Sequence, residues 1–417
     1  MTPEVRDRIE QIRHGNVPDG YKKTKAGILP DDWTVCTIGE CLERIERPVD
    51  VQADEMYTQI GIRSHGKGLF YKDPVTGESL GNKAVYWIEP DCFVLNIVFA
   101  WEQAIGKTTQ AEVGMIGSHR FPMYRPVDGR INIDYLISYL MTKHGKDILE
   151  AASPGGAGRN RTLGQDRFMK SKIILPTPVE QEKIAEFLTT QDKVIELKEK
   201  QLAEKQRQKK YLMQQLLTGK KRLPGFDGKW KKIKLKDLLM ERKTYSPKGM
   251  EYPHVTLSTE GIYSKGERYD RDHLVKSEEK EYKITHKGDI CYNPANLKFG
   301  VICINNFGDA IFSPIYVTFE VIGNVSSEYL SNYLMRWDFI NAVRKYEEGT
   351  VFERMAVKPE DFLKFEMLLP PYEEQAAIAE ILTVADKEID LLRQGLEQER
   401  QKKKALMQLL LTGIVRV

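Results

Sequence analysis

One long segment of this 417-residue chain is written twice. The 45 residues from Leu175 to Gly219 align without a gap with those from Leu369 to Gly413, at a constant offset of 194, and 23 positions are identical. The register continues upstream, where Tyr135, Leu136, Tyr139 and Leu140 match Tyr329, Leu330, Tyr333 and Leu334, and Gly155 and Phe168 match Gly349 and Phe362. Chance does not hold one offset over some 85 residues, and self-similarity of this kind fixes the architecture before any local assignment. The chain is two tandem copies of a globular domain followed by a helix.

Each repeated segment predicts a long helix. Pro176 and Pro178, like Pro370 and Pro371, punctuate the start, and Gly219 and Gly413 follow the last apolar turn as stops. Leu188, Ile195, Leu202 and Leu216 recur on a step of seven with Lys209 as the polar member, and Leu382, Ile389, Leu396 and Leu410 repeat the step with Lys403 in the same gap. That is a coiled-coil seam. A charged helix lying on its own domain is the plainer alternative, but two like seams in one chain supply each other's partner. About 39 residues at 1.5 Å each give a rod of roughly 58 Å. The order domain–helix–domain–helix, closed by a two-fold relation, predicts an antiparallel pair holding two globules apart as a dumbbell.

The expected fold class is mixed α/β (α+β). Its domains are an N-terminal helix and linker (1–30), a first globule (31–174), a first long helix (175–222), a second globule (223–368) and a second long helix (369–417). Thr2 and Pro3 start a short helix that Gly15 stops near His14. Short β-branched and aromatic runs such as Ala84–Ile88 and Cys92–Leu95 predict strands, followed by a helix near Tyr135–Leu149. The second globule repeats the plan with Tyr252–Leu257, Asp289–Tyr292, Tyr316–Val321 and a helix from Ser327 to about Tyr346.

Hydrophobic content of 41% and charged content of 29% are those of a soluble globular chain. No apolar run nears the ~18–20 residues of a membrane span, and the charged N-terminus is no signal peptide. Five cysteines without a CxxC pair predict reduced thiols and a cytoplasmic protein. A net charge of only +3 means that any nucleic-acid surface comes from local clustering.

Catalytic motifs fail one by one. The glycine-rich stretch from Ser153 to Thr162 lacks the lysine of a P-loop. Tyr292 to Ala295 approximates the Asn-Pro-Pro-aromatic motif of adenine methyltransferases but lacks its second proline and its aromatic residue. Seven scattered histidines form no HExxH and no triad. Basic, aromatic and glycine-containing loops remain, and they recur in both domains. In the first they carry Arg63, Ser64, His65, Lys67, Asn96, Trp101, Ser118, His119, Arg120, Arg159, Asn160 and Arg161. In the second they carry Lys265, Arg268, Tyr292, Asn293, Lys298 and Arg354. Arginine suits guanine edges and phosphates, and asparagine suits adenine. Between the domains, Lys220 to Lys236 holds eight Lys/Arg against the single Asp227. Each such residue alone is commonly a solvated surface group; their repetition on two globules suits a reader of a split DNA site.

The repeated LP-(x)3-EQ-(x)2-IAE-(x)-LT run ending in LLTG closely resembles the spacer helices of type I restriction-modification specificity subunits. So does the join from Leu217 to Phe226. Gly20 to Thr24, followed by Leu29, Pro30 and Trp33, is similar to the approach to the first target recognition domain of that family. Asn96, Ala100, Trp101, Ser118 to Phe121 and Ser153 to Thr162 look like one variety of recognition domain. Gly288 to Ile290, Tyr292, Asn293 and Ser313 to Tyr316 look like another. The resemblance implies that each globule reads one half of a bipartite double-stranded DNA target. It implies two modification (methyltransferase) subunits that methylate adenine N6, joined by restriction/translocase subunits. S-adenosylmethionine, ATP and Mg are then expected on those partners, with no cofactor or metal on this chain, no membrane and no catalysis of its own. Gln181, Ile184, Phe187, Ile378 and Ile381 are the expected docking residues for the modification subunits, although the same apolar groups also suit the intramolecular coil. A standalone bivalent DNA-binding regulator and a coiled-coil protein-binding adaptor are the rival readings.

Overall fold

The computed structural model describes residues 2–155, 161–247, 252–265, 281–346 and 356–417. It divides into two compact units, Met1–Lys198 with Gly395–Val417, and Glu199–Gln394. The division falls inside the long helices, so each unit holds one globule and half of each helix.

In the first unit, Thr2 caps the helix Pro3–Arg13, and Gly15 ends it at a φ of +78°. The stretch expected to be linker is instead a hairpin, Tyr21–Thr24 against Gly27–Pro30. Thr24 closes its two-residue turn by accepting from the Ala26 amide and donating to the Gly27 carbonyl. The Tyr21 hydroxyl then ties the hairpin to the carbonyl of Gly413, at 2.6 Å.

A four-stranded antiparallel sheet follows, in the order Ile105–Lys107, Phe93–Leu95, Met123–Pro126, Leu42–Ile45. Successive side chains of a strand point to opposite faces. Phe93, Leu95 and Tyr124 therefore meet the helices through Tyr135, Leu136, Leu149 and Leu188. Val94 and Met123 face the other way, onto Ile60, Ile62 and Ile88. The helix expected near Tyr135–Leu149 is two, Ile133–Leu140 and Lys143–Ala152. Thr142 divides them, because its hydroxyl accepts from the Gly145 amide and starts a new helix.

The second unit repeats this sheet strand for strand: Ile302–Ile304, Ile290–Tyr292, Val317–Val321, Leu239–Glu241. Ile290, Tyr292 and Phe319 face the helical core, and Cys291 faces Val255, Leu257 and Phe312. Here too the expected single helix is broken, into Ser327–Leu334 and Trp337–Val343.

Both long helices run 39 residues, Pro178–Leu216 and Tyr372–Leu410. The predicted stops Gly219 and Gly413 sit at φ +69° and +73°, where a side chain would be strained. Within each unit the two helix halves run antiparallel. Asp192 pairs with Lys403 and Lys198 with Glu399 in the first, Lys205 with Glu388 and Lys209 with Asp386 in the second. The polar members of the seven-residue seam, Lys209 and Lys403, are thus neutralised by equivalent aspartates of the facing helix.

The Glu-Gln pair that opens each helix is built into the fold. Glu180 receives Trp33 Nε1 at 2.7 Å and Arg416 Nε at 2.6 Å. Glu374 receives Trp230 Nε1 at 3.0 Å and Arg222 Nε at 2.6 Å. Gln181 accepts from the Asn132 amide and donates to the carbonyls of Arg130 and Pro176. Gln375 repeats the grip on Ser326 and Pro370. This corrects the docking role expected of Gln181, whose amide is spent on backbone inside its own domain. Ile184 and Ile378, also expected to dock a partner, lie buried in the two globular cores. Ile381 packs half-buried against the second core, and Phe187 alone of the five is exposed.

Candidate nucleic-acid interface

In the first unit the segment after the strand Phe93–Leu95 forms a rigid elbow. Asn96 accepts from the Val98 amide at 3.0 Å, and its own amide donates to the Ala104 carbonyl at 2.9 Å. A short 3-10 turn, Ala100–Glu102, follows. Gln103 closes it in the left-handed region at φ +58°, held there as its side chain donates to the Leu140 carbonyl at 2.8 Å. Trp101 is fixed by donating Nε1 to the Val98 carbonyl, and the Arg161 guanidinium lies over its ring at 5.2 Å.

Three other predicted loops are anchored to this elbow. The His65 and Gly66 amides donate to the carbonyls of Glu102 and Gln103, and the Ser64 hydroxyl donates to the Glu102 carboxylate at 2.8 Å. The Ile97 amide donates to the Arg120 carbonyl, which brings in Ser118 to Arg120. The Leu163 amide donates to the Ile97 carbonyl and carries Arg161 to the same place. Arg63, His65, Lys67, His119 and Arg120 are exposed. Arg63 lies over the Phe70 ring and donates to the Leu69 carbonyl. Among the described residues none of these cations has a carboxylate within ion-pair distance. Those of the first-domain residues singled out in the sequence that are described therefore converge, except that Asn96 is buried and serves as the elbow's hinge pin rather than as an exposed contact.

The second unit builds the same elbow after Ile290–Tyr292. Asn293 accepts from the amides of Ala295 and Asn296, the turn is Leu297–Phe299, and Gly300 closes it at φ +81°. Lys298 stands at the tip with its ammonium 5.3 Å from the Phe299 ring centre, and Phe299 is 59% exposed. Tyr292 is corrected to a core residue. It is fully buried, stacked on Phe319 and Phe362, with its hydroxyl donating to the Val357 carbonyl at 3.0 Å. Burial raises its phenol pKa by penalising the charged form. Asn293, like Asn96, is a buried turn former. Lys265 follows the hairpin Val255–Ser258/Gly261–Ser264, its amide on the His254 carbonyl. Arg159, Asn160, Arg268 and Arg354 lie outside the described residues. Glu102 and Phe299 were not among the residues singled out. The signal for them is positional: each lies six residues after the asparagine that pins its elbow.

Among the described residues no group of three His, Cys, Asp or Glu could hold a metal ion. Two equal recognition-type globules with cationic loops, each continued by an antiparallel helix pair, define a two-domain DNA-reading class of protein. The comparisons narrow that class. The type I restriction modification DNA specificity domain matches residues 30–205 and again 227–399, and the chain belongs to that family. It is a DNA-recognition specificity subunit of a type I restriction-modification system. A candidate type I restriction enzyme MjaX specificity subunit of Methanocaldococcus jannaschii is 24% identical, covering 96% of this chain and 97% of its own length. The type I restriction enzyme MjaVIII specificity subunit of the same organism is 23% identical, with 96% of each chain covered. Among solved structures, a type I restriction-modification system S subunit from M. genitalium shares the fold. Its TM-score is 0.56 at 11% identity, with 91% of this chain and 96% of that one covered.

Proposed function

We propose that each globule reads one half of a bipartite double-stranded DNA target through the loops gathered on its elbow. The observation that carries this reading is the recurrence of one elbow in two domains, with an aromatic side chain at its tip and a cation beside that ring both times, Arg161 over Trp101 and Lys298 over Phe299. The chain itself is non-catalytic. It assembles with two modification subunits that use S-adenosylmethionine to methylate adenine N6, and with restriction/translocase subunits that use ATP and Mg. The complex works in the cytoplasm. No helix of the described residues is long and apolar enough to cross a membrane. Of the five helix residues expected to dock, the exposed Phe187, rather than the buried Ile184 and Ile378, is free to meet a partner.

Exchange of residues 31–174 for those of a relative tests the two-reader proposal. Genome-wide mapping of N6-methyladenine should show one half of the methylated sequence changed and the other kept. If both halves change together, the domains do not read independently. Replacing Lys67 or Arg120 by Ala should weaken binding across all sequences and lower the salt slope of log K by about 1 for each phosphate that is no longer neutralised.

A further inference from the structure

The two elbows share a backbone and differ at the tip. Asn96 to Gln103 and Asn293 to Gly300 are eight-residue segments with the same asparagine pin, the same 3-10 turn and the same left-handed closing residue. At the two final positions of the turn, the first carries Trp101 and Glu102 and the second carries Lys298 and Phe299. A fixed frame presenting unlike side chains is what two readers of unlike sequences require.

Glu102 is the unexpected member of this set. A carboxylate beside phosphates is repelled, and the neighbouring loops offer Arg63, Lys67, Arg120 and Arg161. Yet among the described residues Glu102 forms no ion pair and receives only the Ser64 hydroxyl on Oε2. Two backbone amides, those of His65 and Gly66, lock the turn that carries it. A carboxylate accepts and never donates. On the major-groove edge it fits the exocyclic amino group of cytosine or adenine, and it rejects the acceptor edges of guanine and the O4 of thymine. Lys298 has the opposite character and fits guanine O6 and N7, while the exposed Phe299 ring beside it suits a thymine methyl group.

We propose that the tip pairs, Trp101 with Glu102 and Lys298 with Phe299, determine sequence specificity, Glu102 by accepting from a base amino group and Lys298 by donating to guanine. The inference rests on the reading that the elbows face DNA. It is tested in the complete complex from the native host, with methylated motifs mapped across the genome and binding measured on duplexes varied one base pair at a time. Glu102→Ala should relax one position of the first half-site, with discrimination there falling roughly tenfold or more, and leave the second half unchanged. The base relaxed identifies the amino group as that of cytosine or of adenine. Lys298→Ala should relax one guanine of the second half only. Ser64→Ala, which removes the prop but keeps the carboxylate, should preserve the base preferred. Unchanged motifs with Glu102→Ala and Lys298→Ala, while Arg120→Ala weakens binding, would show that the loops face DNA but the tips do not read it. If Arg63→Ala, Arg120→Ala and Glu102→Ala all bind as the parent does, the interface reading falls and this inference with it. Thermal melting of each variant separates these outcomes from misfolding.

Discussion

Glu374 is a carboxylate with no exposed side-chain surface, held between Trp230 and a two-pronged Arg222. A charge taken out of water is tolerated only where its oxygens are fully engaged, and removing one partner of such a pair costs about 3–5 kcal/mol. Arg222 is 30% exposed and recovers some hydration when abandoned, so the lower end of that range applies. Glu374→Ala should therefore cost about 3 kcal/mol in urea titration of the chain, and Glu374→Gln less, since the amide oxygen still accepts one bond. A loss under about 0.5 kcal/mol, the scale of an ordinary surface site, would mean that the helix start does not depend on the clasp. The Glu-Gln pair was legible in sequence as a repeated motif, but its purpose was not. Arg222 lies 152 residues from Glu374 and Arg416 lies 236 from Glu180, and no local pattern announces a bond across such distances. The same limit misplaced Gln181, Ile184 and Tyr292: residue type suggested contact with a partner or with DNA, and tertiary packing spent them inside.

Elements punctuated by proline and glycine were read well from sequence, and those closed by other means were not. Prolines at the start and glycines at the stop framed both long helices, which span 39 residues each. The hairpin Tyr21–Pro30 escaped because its Lys25-Ala26 turn lacks the Asn-Gly or Asp-Gly pair that marks a two-residue loop. The helix break at Thr142 escaped because Lys143 follows it, whereas at Thr2 a proline in the next position marks the start of a helix. Both tip pairs were only half seen: Trp101 and Lys298 look like contacts, whereas Glu102 looks like solvated surface until the loops are folded around it. Within the long helices, Lys209 is 18% exposed while its partner Asp386 is 46% exposed. Lysine at a seam position sets register at a cost in stability. Lys209→Leu should extend the apolar seam and leave Asp386 free to return to water, a gain of about 1 kcal/mol. For units of this size that raises the melting temperature by about 2–4 °C. A fall in melting temperature would show that the ion pair outweighs the apolar contact.

The internal repeat makes each half of the molecule self-complementary. Glu180 receives both Trp33 and Arg416, and the counterpart of Arg416 at the offset of 194 is Arg222; Asp192 receives Lys403, whose counterpart is Lys209. A half chain of residues 1–226 carries Trp33, Glu180, Asp192, Lys209 and Arg222, so it holds both sides of the arginine clasp and of the lysine–aspartate pair. Lys205 stands in place of Glu399 and Val194 in place of Glu388, so the other two helix pairs are lost. Two copies can satisfy each other by an isologous contact, in which residue i meets j and j meets i. The half chain should therefore sediment as a dimer at micromolar concentration. Asp192→Lys places like charges at two symmetric sites and should weaken that dimer, and the double variant Asp192→Lys with Lys209→Asp should restore it by reversing both pairs. If the half chain is folded by circular dichroism yet monomeric at tens of micromolar, the paired helices are held by the covalent join rather than by their own complementarity. If the dimer forms but ignores the charge reversal, the apolar seam alone specifies the pairing, and Lys209 and Lys403 have no part in choosing the partner. A dimer carrying two copies of the first recognition domain should also direct methylation, with the native modification subunits, to a target whose two halves are the same sequence in inverted orientation. A methylated motif that kept the parent's second half would overturn the equivalence of the two domains on which the whole molecule is built.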